Sequence, residues 1–221
     1  MTVYSVLKLS YMEGIAIADE RETHYSVRTY DVAKKIHIMT PSSFVGFSGT
    51  VQYGLEIIDR TKELLEESEK PSFTQVRDNL KIAYQQVRRE KFEDGVLSRY
   101  DITPKEFKLG KYDEKLRDLL VSAANNHEAF LVDMVFAGYD GEKEDFRLNR
   151  IVFPGLYIFQ DKYASVGSGT DRSDLVIGDS LSVLHPRIRE NIPPHLGARI
   201  LVEATQQSWR NEGVGGTGQL V

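Results

Sequence analysis

Residues 3–9 alternate apolar and polar positions, and after a polar turn at 10–14 the run Ile15-Ala16-Ile17-Ala18 reads as the hairpin partner of that first strand. Two more short strands are predicted at 35–39 and 44–48, separated by Thr40-Pro41-Ser42-Ser43, a turn by composition. From 51 to 67 the period becomes helical, with Leu55, Ile58, Leu64 and Leu65 on one stripe and Glu and Lys between them. Ser72 is placed to cap a second helix carrying Val76, Leu80, Ala83, Tyr84 and Val87. Residues 93–111 read as a connector broken at Asp94-Gly95, Thr103-Pro104 and Leu109-Gly110, followed by a third helix over 112–124. Strands return at 129–138, 146–153 and 156–166. A loop at Gly167-Ser168-Gly169-Thr170 then leads into a helix over 171–184, a break at Ile192-Pro193-Pro194 and a last helix ending near 209. Blocks of strands and helices in this order predict an α+β fold, with sheets packed face to face and helices outside, not an alternating βαβ sheet.

Composition narrows the chemistry. At 221 residues the chain fits a single domain over 1–221, with an enlarged helical connector at about 93–120. No apolar run is long enough to cross a bilayer and no secretory leader precedes residue 20, which predicts a soluble, cytoplasmic protein without a membrane partner. With no cysteine there is no disulfide framework and no thiolate nucleophile. His24, His37, His127, His185 and His195 lack metal-ligand spacing, so neither metal nor cofactor is expected. A net charge of -5 argues against a nucleic-acid partner, and Arg88-Arg89-Glu90-Lys91 reads as a solvated helix face.

Thr2 stands directly after the initiator Met, whose removal is favoured by a small second residue. Processing would leave one residue holding both a hydroxyl nucleophile and, in its α-amine with a reference pKa near ~8, a base to activate it. Other segments fall into register with that start: Ile17-Ala18-Asp19-Glu20-Arg21-Glu22-Thr23, Lys34-Lys35, Phe47-Ser48-Gly49 ahead of a helix, and Tyr163-Ala164-Ser165-Val166-Gly167-Ser168-Gly169-Thr170. Together with Ala137-Gly138-Tyr139-Asp140 and Arg210-Asn211-Glu212-Gly213-Val214-Gly215-Gly216, they resemble a proteasome β subunit over nearly the whole chain. The resemblance implies a four-layer αββα sandwich of the N-terminal nucleophile hydrolase type.

It also implies roles. Thr2 would attack the carbonyl, and Lys35, held against Asp19, would ease deprotonation of the hydroxyl. Gly49 would offer its N–H to the oxyanion at a helix start, and Ser168 and Asn211 would surround the Thr2 amine. The alternative for Asp19 and Lys35 is a structural ion pair, and for Gly167-Ser168-Gly169 a plain loop. Three departures stand out: Asn211 and Val214 where the family carries Asp and Ser, the long connector, and the ending at Gly218-Gln219-Leu220-Val221, which leaves the sheet to be completed differently or left short. The expected activity is hydrolysis of peptide or amide bonds through an acyl-enzyme after Met1 is lost. The alternatives are a catalytically silent ring subunit or scaffold, and a transpeptidase using the same Thr. The implied partners are a peptide or protein substrate, copies of the chain in a homo-oligomeric ring, and an ATPase or regulatory cap.

Overall fold

The computed structural model describes residues 3–19, 21–24, 28–31, 34–66, 68–110, 112–125, 132–152, 155–209 and 218–220. Strand β1 (Val3–Lys8) is buried at five of its six positions, because the strand lies inside the molecule with packing on both faces. Tyr4 and Val6 point one way, and Leu7 points the other. Val3, where the described strand begins, is itself buried. β1 pairs antiparallel with β2 (Gly14–Asp19) on one edge and with β10 (Tyr163–Gly167) on the other, and β11 (Gly218–Leu220) adds to β2. Among the described residues the first sheet therefore runs β10-β1-β2-β11.

The second sheet runs in chain order through β5 (Ile36–Thr40), β6 (Ser43–Ser48), β7 (Asp133–Asp140), β8 (Asp145–Val152) and β9 (Leu156–Gln160). A separate two-stranded ribbon joins β3 (Arg21–His24) to β4 (Arg28–Asp31). The two sheets face each other across a core that includes Tyr4, Val6, Ala16, Phe44, Val135 and Leu148. On the outer face of the second sheet, α1 (Val51–Leu65) and α2 (Phe73–Gly95) bury Ile58, Leu80 and Tyr84 against Phe136 and Ile151. On the outer face of the first, α5 (Thr170–Ser182) and α7 (Pro194–Ser208) bury Ile177, Leu181 and Leu201 against Leu7 and Ile17. The result is the four-layer αββα sandwich expected from the sequence.

Local signals account for most elements. Ser72 caps α2 as predicted: its Oγ accepts from the Gln75 N–H at 3.2 Å while the Gln75 Oε1 accepts from the Ser72 N–H at 2.8 Å. The structure differs from the sequence reading elsewhere. The stretch 156–166, predicted as one strand, is β9 and β10 in different sheets, and the break at Asp161-Lys162 is held where the Lys8 N–H donates to the Lys162 carbonyl at 2.8 Å. Leu64 is 40% exposed, and Ile57 takes its expected place in the core. The connector is mostly helical. After α2 come a 3-10 turn (Leu97–Tyr100), α3 (Pro104–Leu109) and α4 (Glu114–Asn125), which close a small core of Val96, Leu97 and Leu120 with Phe107 and Tyr112 packed against it. A short helix α6 (Pro186–Glu190), with Pro at its first turn, was not predicted. Among the described residues no helix is long and apolar enough to cross a membrane.

Candidate active site

Asp19 ends β2, and Lys35 stands one residue before β5. Both are buried, at 0% and 2% exposure. The Asp19 Oδ1 accepts from the Lys35 Nζ at 3.1 Å and from the Val3 backbone N–H, also at 3.1 Å. Burying either charge alone would cost several kcal/mol, so each makes the other tolerable in this position. The Val3 nitrogen is the amide nitrogen bonded to the Thr2 carbonyl carbon, and the peptide unit is planar. Asp19, paired with Lys35, therefore holds the amide nitrogen that follows Thr2 in the chain. Thr2 itself, like Met1, Asn211 and Val214, lies outside the described residues.

Two glycine-containing turns flank this point. Gly49 follows β6 with φ 102, a conformation that side chains with a Cβ rarely adopt, and α1 begins two residues later. In the β5–β6 hairpin Ile36 is paired with Gly46, so Lys35 and Gly49 emerge at the same end. Tyr4 reinforces that alignment from the facing sheet: a Cβ on Gly46 would lie 2.4 Å from the Tyr4 ring, so the absent side chain is what lets β1 settle on β6. The second turn, 167–170, follows β10. Gly167 has φ 111, the Thr170 hydroxyl donates to its carbonyl at 2.7 Å, and the Ser208 hydroxyl donates to the Gly169 carbonyl at 3.0 Å. A Cβ on Gly169 would meet the Ser208 Cβ at 2.8 Å and the Val3 Cβ at 3.1 Å, so this loop is pressed directly against the start of β1. Ser168 sits in it as an exposed residue.

The structure thus brings Asp19, Lys35 and the Ser168 loop to the start of β1, and places Gly49 at the same end of the adjoining hairpin. The sequence reading missed two groups nearby. His37, dismissed with the other histidines, is stacked on Phe47 with ring centroids 6.0 Å apart, and its Nε2 is 3.0 Å from the Lys34 carbonyl. Burial lowers its pKa, partly offset by that backbone hydrogen bond, with Lys62 and Lys34 lowering it further and Asp59 raising it. Its spacing of two from Lys35 on an extended segment was the available signal. The second is a line of buried hydroxyls, Ser5, Ser165 and Ser173, behind the 167–170 loop; an apolar strand gave no reason to connect Ser5 with a distant helix.

A buried ammonium–carboxylate pair, a glycine amide at a helix start and a hydroxyl loop around one chain start are parts for activating a nucleophile and holding an oxyanion. The chain matches solved structures along its full length. It resembles the Anbu Gly-1 mutant from Hyphomicrobium sp. strain MC1 (TM-score 0.70, 14% identity, covering 100% of this chain and 80% of that one). Anbu from Yersinia bercovieri, described as an ancestral beta-subunit, gives 0.69 at 14% identity over 100% of this chain and 81% of that one. Eukaryotic HslV from Trypanosoma brucei gives 0.57 at 13% identity over 100% of this chain and 98% of that one. At these identities the likeness establishes the fold alone, the four-layer sandwich shared with these solved structures. No protein-family model matches the chain, and no curated protein matches it.

Proposed function

We propose that the protein is an N-terminal threonine hydrolase that cleaves peptide or other amide bonds once Met1 has been removed. One observation carries the reading: a fully buried Lys35–Asp19 pair whose carboxylate also holds the amide nitrogen joined to Thr2. A lysine buried to 2% next to a chain start is hard to explain by stability, since an apolar pair of the same volume would serve at least as well there. Its positive charge favours the deprotonated form of a neighbouring hydroxyl.

In this reading the Thr2 Oγ1 attacks the substrate carbonyl as its proton passes to the Thr2 α-amine. The Gly49 N–H donates to the oxyanion of the tetrahedral species, with the start of α1 adding its dipole. The C–N bond then breaks, the leaving amine takes the proton from the α-ammonium, and the acyl group remains on Thr2 as an ester. Water, activated by the same amine, attacks the ester, releasing the carboxylic acid and restoring the hydroxyl. An amine in place of water would give a transpeptidase from the same intermediate. Ser168 and Asn211 are assigned to holding the α-amine, a role in which Asn can accept and donate but carries no charge.

A second reading, a silent subunit or scaffold, is favoured by Val214 and Asn211, which replace a hydroxyl and a carboxylate in the pattern the chain otherwise follows. Intact-mass measurement followed by incubation with fluorogenic peptides separates the two. Loss of one Met together with hydrolysis that vanishes in Thr2→Ala supports the hydrolase, whereas retained Met1 or activity surviving in Thr2→Ala overturns it.

A further inference from the structure

The last residue of α7, Ser208, is fully buried and carries a hydroxyl that the reaction above does not use. Its oxygen lies 2.9 Å from the Ala204 carbonyl one turn back and 3.0 Å from the Gly169 carbonyl in the loop after β10. A single proton serves both acceptors, and each has another donor. Within α7 the i to i−4 pattern gives Ala204 the Ser208 N–H, and the Gly169 carbonyl accepts from the Ser173 N–H at 3.0 Å. The bond between Ser208 and Gly169 therefore does not satisfy a buried orphan. What it adds is a tie between the end of α7 and the loop.

Gly169 points to the same tie. Its φ of -92 and ψ of 2 are those of the third residue of a type I turn, open to side chains with a Cβ, so the backbone does not demand glycine here. Space demands it. A Cβ would lie 2.8 Å from the Ser208 Cβ on one side and 3.1 Å from the Val3 Cβ on the other, so the end of α7, the loop and the start of β1 meet at this residue with nothing between them. Val3 is also held from the far side, where its N–H donates to Asp19 at 3.1 Å. Behind the contact, Ser173 of α5 stands with its hydroxyl oxygen 2.7 Å from that of Ser5, which backs the loop onto β1 a second time.

Ser168 and Thr2 each stand one residue before a partner in the Gly169–Val3 contact, so that contact sets how the two are spaced. We propose that Ser208 is a positioning residue: by tying α7 to the Gly169 carbonyl it holds the Ser168 loop against Val3 and fixes where Thr2 stands relative to Ser168. The effect on rate rests on the hydrolase reading, but the tie itself can be read without substrate. Ser208 touches no reacting atom in that scheme, so its loss should slow the reaction and leave substrate binding alone.

Ser208→Ala tests this in the full-length protein, since it keeps the Cβ that packs on Gly169 and removes only the hydroxyl. Amide hydrogen exchange followed by NMR should quicken about tenfold or more at Val3 and stay unchanged at Leu7, farther along the same strand. Hydrolysis of a fluorogenic peptide, per folded molecule, should lose about 10- to 100-fold in kcat with KM unchanged, the scale of a small misplacement at a reacting centre. Gly169→Ala, which wedges the three elements apart and leaves the hydroxyl in place, should give the same pattern more strongly; should it fail to fold, Ser208→Ala decides alone. Unchanged exchange at Val3 in either folded variant overturns the proposal, as does equal acceleration at Leu7, the mark of an ordinary loss of stability. An active wild-type protein whose kcat survives Ser208→Ala, or whose loss lies in KM, overturns it too. Absence of hydrolysis in the wild-type protein would sink the hydrolase reading and leave the exchange at Val3 against Leu7 to judge the tie.

Discussion

Lys35 and Asp19 pose the central question at the residue scale, because a buried ion pair serves either a fold or a reaction, and the two make different predictions. Removing one partner strands the other charge in a buried site, an effect of about 3–5 kcal/mol on stability in either case. Turnover per folded molecule is the quantity that discriminates. Lys35→Ala, assayed at a temperature where circular dichroism shows it folded, should lose at least about 10²-fold in kcat, the scale for removing a proton-handling or electrostatic group. Asp19→Asn should lose a similar or smaller factor, since the amide still reaches the Val3 N–H and Lys35. If the rate per folded molecule is unchanged in Lys35→Ala, the pair is structural. Asp19, Lys35, Gly49 and Ser168 were singled out in the sequence because each lies in a short segment that resembles the proteasome β-subunit pattern, and the structure pairs Asp19 with Lys35. His37 and Ser5 were not, because what makes them notable is a contact, to Phe47 and to Ser173, made by residues remote in sequence.

Elements decide whether those residues stay in register, and the tightest constraint falls between the two sheets. Tyr4 of β1 lies over Gly46 of β6, leaving no room for a Cβ, which would sit 2.4 Å from the ring. Gly46→Ala should therefore destabilise the protein by about 1–3 kcal/mol through overpacking, even though alanine suits a strand at least as well as glycine does. Thermal unfolding checks this, and relief of the defect in Gly46→Ala/Tyr4→Leu would identify the Tyr4 ring as its source. An unchanged midpoint in Gly46→Ala would mean that the sheets are free to separate, and that Tyr4 does not align β1 with the turn at Gly49. Helices and hairpins were readable because their periods and caps are local, as with the Ser72–Gln75 box. The division of 156–166 was not, because both halves are apolar strands, and only pairing with β8 on one side and β1 on the other assigns them to different sheets. The connector was read as helical, but where its helices begin and end was less legible, for a related reason. Its Gly and Pro signals mark real breaks, but the helices between them draw their stability from a small shared core around Leu97 and Leu120 that no single segment displays.

At the scale of the whole molecule the sandwich leaves edges and apolar surface uncovered. Among the described residues β9 ends the second sheet with an unpaired outer edge, and it carries Ile158 and Phe159 at 43% and 50% exposure. Leu175 and Val183 on the helical layer over the first sheet stand out at 63% and 83%, and Leu109, Leu119 and Val121 do the same on the connector, at 57%, 53% and 53%. An open strand edge beside exposed apolar side chains invites pairing with another chain, and proteins that stay monomeric usually blunt such an edge with charge or proline. Here Arg147 lies over the Phe159 ring at 4.9 Å and partly covers it, but no proline interrupts the strand. Identical chains closing on one another are the commonest way to cover such surfaces, in line with the ring implied by the sequence resemblance. Light scattering coupled to size exclusion should therefore return a mass of at least two times 25.1 kDa, in whole multiples, at micromolar concentration. Replacing Ile158 with Glu, a side chain that remains soluble on an exposed strand but resists burial, should lower that mass without unfolding the protomer. A strictly monomeric wild-type protein would mean that the open edge and apolar patches are tolerated in solution, and that any hydrolysis takes place at a site open to bulk water rather than inside an assembly.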